Sequence, residues 1–225
     1  MIDPSFMNSN RLPAAACRLG VVSAWTIVLV GAAYVAVILL WLILVRSPSE
    51  PIADPYLGAM ELLTIASALA ILGLVVALSV LLSVERPVHA RIVLVLGSLA
   101  AVLTMMVHFV QLTAVRQLWR GGRLPDYRLV WPSQLFAVEY FVWDILVGLT
   151  MLSAGLALSG LRTATRARWA LLLGGTLCVL GVAGPASGRM GLQNVAVLGY
   201  AVVLPIAAGF MARFFRHVSV QNDAA

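Results

Sequence analysis

Two carboxylates stand where a carboxylate is expensive. Residues 134–150, QLFAVEYFVWDILVGLT, are apolar enough to lie in a bilayer, yet they carry Glu139 and Asp144 with Tyr140 and Trp143 between them. A charge at the centre of a membrane helix costs roughly 2.5–3.5 kcal/mol on insertion scales, so an intramembrane acid is first read as a functional group. The chemistry open to it is proton transfer. A low-dielectric setting favours the uncharged form of a carboxyl group. A neutral carboxyl can protonate an alkene or epoxide while a neighbouring His or carboxylate takes a proton elsewhere. The aromatic faces of Phe136, Tyr140 and Trp143 could shelter a carbocation formed on the way.

Partners for these acids are sought in the other apolar runs. Glu61 comes one turn into the second run, and His108 and Gln111 lie in the last two turns of the third. Gln193 and Asn194 open the sixth. Consecutive spans alternate in direction, so the starts of even-numbered spans and the ends of odd-numbered spans share one side of the membrane. All of these residues therefore fall in the same half, and the opposite half holds no acid or His within a span. At 1.5 Å per residue, Glu61 lies roughly 5 Å below its interface, Glu139 about 7 Å, His108 about 10 Å and Asp144 about 15 Å. Tyr140 and Asp144 share a helix face, as do Glu139 and Trp143, being four apart. The expectation is a cavity lined by the second, third, fourth and sixth spans. Glu61, His108 and Glu139 form its walls and Asp144 its floor, with Tyr140, Trp143, Gln111, Phe136 and Asn194 available to a substrate. Exchanging Asp144 for Asn should then abolish activity without disturbing folding.

Each residue also has a plainer reading. Glu61 and Glu139 are shallow enough to reach the interface or pair with loop arginines. His108 could be a hydrogen-bonded residue between helices, and Asp144 a helix–helix contact. Neither metal nor cofactor is expected. There is no CxxC or Cys/His cluster, no acid cluster of the DDxxD kind for Mg²⁺-diphosphate chemistry, and His89 and His217 belong to the opposite side.

The elements that must position these groups follow from composition. The chain has 225 residues, 62% hydrophobic and 11% charged, against about 25% charged in a soluble domain. That predicts an all-α membrane protein. Six runs approach or exceed the ~20 residues needed to cross a bilayer: 20–45, 58–84, 92–115, 135–160, 169–187 and 192–214. The first is too long for a signal-peptide core and lacks a small-residue cleavage site, so it reads as an uncleaved span. The expected organisation is an amino-terminal segment at 1–19, a single six-helix bundle at 20–214 and a tail at 215–225. The net charge of +6 comes from fifteen arginines and no lysine. They cluster between the runs, which argues for topology rather than nucleic-acid binding. Nine lie on the side of the termini and six on the other, so both termini are expected in the cytoplasm, in the inner (plasma) membrane of a bacterium. The longest connection, between the third and fourth spans, is rich in Trp, Tyr, Gly and Pro and could lie along the surface or over the helices.

The segments MELLTIASA, HFVQLTAVR, WPS…EYFVWDILVGL and GPASGRMGLQNVAVLGYAVVLP resemble six-span bacterial integral membrane proteins, a resemblance that implies no activity. The overall pattern also resembles, more weakly, the integral-membrane terpene cyclases of meroterpenoid pathways. Those have seven spans and use a Glu on an early span with an Asp on a later one, which implies Glu61 and Asp144 as working acids here.

Two readings result. One is an intramembrane acid/base enzyme of cyclase or isomerase type acting on an apolar isoprenoid or lipid-like substrate. The other is a non-catalytic lipid-binding or assembly protein, or a small proton-linked transporter. No inverted repeat or pair of broken helices supports transport.

Overall fold

In hydrocarbon every backbone N–H and C=O must be satisfied within its own segment, which leaves helices as the way to build from such runs. The computed structural model describes residues 14–45, 52, 54–120 and 131–223. Among them are six helices long and apolar enough to cross a membrane: α1 (Ala14–Leu44), α2 (Tyr56–Leu82), α3 (Pro87–Leu118), α4 (Gln134–Ala157), α5 (Arg162–Ser187) and α6 (Met190–Val220). The protein is an all-α six-helix membrane bundle. Helix α1 begins before residue 20 and α6 continues past 214. Most of the long third connection lies outside the described residues.

Each helix packs beside its neighbour in sequence, and α6 returns to pack against α1, so the six form a ring. Aliphatic side chains cover its outer surface: Leu29, Leu62, Val95, Val102, Leu149, Leu173 and Ile206 are all exposed, as a lipid-facing surface requires. Inside, the half of the ring nearest the chain ends is filled by Leu74, Leu78, Val93, Val147, Met151, Leu171 and Met211. The other half is hollow.

Small residues let α4, α5 and α6 approach closely, the usual device for helix association where no hydrophobic driving force separates helix from lipid. A Cβ added at Gly181 of α5 would lie 2.2 Å from the Ala196 Cβ of α6, and one at Gly175 would lie 2.6 Å from the Gly148 carbonyl oxygen of α4. Gly188, at φ +71°, makes the tight turn from α5 into α6, a conformation that costs residues with a Cβ more than glycine. At the start of α4 the Ser133 hydroxyl accepts the Phe136 N–H at 3.2 Å, satisfying one of the amides that a helix start leaves open.

Three helices widen locally into π-helical turns: Gln111–Val115 in α3, Phe141–Val147 in α4 and Leu198–Val203 in α6. Such insertions are rare and tend to occur at functional sites. All three border the hollow half.

Candidate functional site

The hollow is a cavity of about 740 Å³, within the range of roughly 300–1,000 Å³ typical of ligand pockets. Glu61 and Thr64 of α2, His108 and Gln111 of α3, and Phe136, Glu139, Tyr140 and Trp143 of α4 line it, with Gln193, Asn194 and Tyr200 of α6. Helix α5 contributes no lining residue. Helix α1, absent from the expected wall, supplies Ile27, Val30, Gly31, Tyr34 and Val35.

Three separate helices converge on one imidazole. His108 Nδ1 is hydrogen-bonded to Glu61 Oε2, and His108 Nε2 lies 2.9 Å from Glu139 Oε1. Trp143, one α-helical turn beyond Glu139, donates its indole N–H to the same Oε1 at 2.6 Å. Glu139 Oε2 is buried without a hydrogen-bond partner. His108 and Glu61 are 6% and 4% exposed, so water screens this cluster little and its electrostatics are correspondingly strong. Proton counting limits its states. Each of the two His–carboxyl bonds needs one proton, from a ring N–H or a carboxyl O–H. When the group holds those two protons alone, two carboxylates and an imidazole carry a net charge of −1. Whether the ring is an imidazolium between two carboxylates, or a neutral ring beside one neutral carboxyl, the count is the same. The negative charge can therefore move between Glu61 and Glu139 without a proton leaving the group.

Asp144 is placed differently from expectation. It is fully buried and is not among the residues that line the cavity, so it is not the floor. The reason is rotational. Glu139 and Asp144 are five apart, about 140° around an α-helix, and Asp144 lies on the side facing α6. There its Oδ1 accepts the Gln193 Nε2–H at 3.0 Å. Gln193 itself lines the cavity, so it links Asp144 to it. Asp144 Oδ2 and Gln193 Oε1 are both buried without partners.

The remaining expected residues, Glu61, His108, Glu139, Tyr140, Trp143, Gln111, Phe136 and Asn194, all line the cavity. Two tyrosines were missed, Tyr34 and Tyr200. Tyr200 packs against Trp143 with ring centroids 5.1 Å apart, and Tyr140 packs against Phe136 at 4.5 Å. The signal available was a phenol deep in an otherwise aliphatic span, where a hydroxyl needs a partner or a cavity. Among the described residues no group of three or more His, Cys, Asp or Glu side chains is arranged to hold a metal ion.

No family model, no curated protein and no solved structure matches this chain.

Proposed function

We propose that the protein is an intramembrane acid/base enzyme, of isomerase or cyclase type, acting on an apolar isoprenoid or lipid-like molecule. The single observation that carries this reading is His108 held between Glu61 and Glu139 on the wall of a large, mostly apolar cavity. Both carboxyls line that cavity, and Glu139 Oε2 is unpartnered. A substrate alkene receives a proton on one carbon from the group and returns one from another carbon. The proton count of the triad is then restored, and no redox partner is needed. Positioned acid/base groups of this kind contribute about 10²–10⁴-fold in rate. Tyr34, Phe136, Tyr140, Trp143 and Tyr200 supply aromatic faces that stabilise positive charge developing on carbon. Asp144 serves as a positioning residue for Gln193. The arginine distribution supports placement in a bacterial inner membrane with both chain ends in the cytoplasm and the cavity under the opposite leaflet.

The test is proton exchange at carbon. Apolar molecules that co-purify with the protein are identified by mass spectrometry and incubated with it in D₂O. Wild-type protein should incorporate deuterium at carbon, and Glu61→Gln and Glu139→Gln should each slow incorporation by about 10²–10⁴-fold. Incorporation at the wild-type rate in both variants would remove the acid/base assignment.

A further inference from the structure

We infer that the cavity is entered sideways, from the hydrocarbon of the bilayer, through a seam between α1 and α6. The molecule it takes is therefore a long-chain apolar compound whose polar end reaches the Glu61–His108–Glu139 wall; that this end also reacts there rests on the function proposed above. Exposure of the lining residues points to the seam. Those on α2, α3 and α4 are buried or half-buried, whereas the exposed ones are Val35 on α1 and Asn194, Val197 and Ala201 on α6. Val35 is 48% and Val197 37% exposed although both face the hollow. Such residues mark an opening.

The shape of the seam has a cause in α6. Nearer the chain ends the two helices are in contact: a Cβ on Gly20 would lie 2.6 Å from the Phe215 ring, and one on Gly31 would lie 3.2 Å from the Pro205 ring. From Pro205 toward the start of α6 comes the π-helical turn Leu198–Val203. Prolines and π-turns are the usual causes of a helix changing course, and here they coincide with the level at which the cavity opens between the helices.

The surroundings of the opening are apolar. Leu39 on α1 and Leu198 and Val202 on α6 are exposed beside it, at a depth where aliphatic side chains meet lipid. The loop side is different. Ile52 and Leu57 line the cavity there, and Arg116 Nε at the end of α3 donates to Asp54 Oδ2 at 2.7 Å, tying the first connection down beside them. In the ring the α1–α6 seam lies opposite α3, so a chain entering through it runs toward His108.

The experiment uses the full chain in phosphatidylcholine nanodiscs with a sixteen-carbon alcohol that carries a photoreactive diazirine at mid-chain. Adducts mapped by mass spectrometry should fall on α1 around Val35 and on α6 around Ala201. Ala201→Trp and Val35→Trp should each lower the yield at least tenfold, and the smaller change Ala201→Leu should act in the same direction if a Trp variant fails to fold. Asp54→Asn, which loosens the loop side, should leave the yield unchanged. A yield insensitive to the seam variants, or a severalfold rise in Asp54→Asn, would each overturn the proposal. Seam-dependent labelling without deuterium exchange in wild type would sink the enzymatic reading alone, and exchange without seam dependence would sink the portal alone.

Discussion

His108 and Asp144 are both buried polar groups in an apolar bundle, but their neighbours give them different work. His108 bonds two ionisable side chains that face a cavity, whereas Asp144, itself outside the lining, accepts from the neutral amide of Gln193. The two residues should therefore respond differently to substitution. Asp144→Asn keeps an acceptor for Gln193, so deuterium incorporation should stay within about tenfold of wild type, against a loss of 10²–10⁴-fold for removing an acid of the triad. Asp144→Ala leaves the Gln193 amide buried and unpartnered and should lower stability by about 1–3 kcal/mol, measurable as a fall in Tm in detergent. Abolished exchange in Asp144→Asn with unchanged Tm would instead give Asp144 the direct role its depth in the span first suggested. That depth was legible from position alone. Which way the side chain turned was not, because it depends on how α4 is rotated against α6, which hydrophobic patterning does not signal.

At the scale of elements, the site depends on how closely α5 and α6 approach one another. Gly181 faces Ala196 with no space for a Cβ, and Ala196 lies three residues beyond Gln193 on the same helix. Gly181→Val should push α6 outward. Overpacking of this kind typically costs 1–3 kcal/mol, so Tm should fall, and labelling of the cavity by the photoreactive alcohol should change with it. An unchanged Tm would mean that the α5–α6 hairpin is looser than its geometry states. In the small-residue segments AGLALSG and LLLGG, Gly155, Gly174 and Gly175 pack against neighbouring helices. The GAAYVA segment of α1 is equally rich in small residues, yet its Tyr34 lines the cavity. Small neighbours concealed a polar side chain because they set the local character of the segment.

For the molecule as a whole, the ring closes by packing α6 on α1 near the chain ends. That half is filled and the other is hollow. On the lateral entry proposed above, the inequality decides which leaflet supplies the ligand. The orientation proposed from the arginines, with both chain ends in the cytoplasm, would put the cavity under the outer leaflet. Single cysteines at either end of the chain should react with a membrane-impermeant maleimide only after the cells are opened. Reaction in intact cells would reverse the orientation and move the cavity to the cytoplasmic leaflet.

The number of helices, their approximate limits and the gathering of Glu61, His108, Gln111, Glu139 and Gln193 in one membrane half all followed from composition and alternation. Those features depend on apolar length and on parity, both of which are written linearly in the chain. The tertiary structure alone decided that His108 bridges the two glutamates, that Asp144 stands behind Gln193 and that α1 completes the wall with Tyr34. Each of these depends on the rotation of one helix about its own axis relative to another. Side-chain packing and π-helical turns set that angle, and a span that is apolar on every face carries no mark of it.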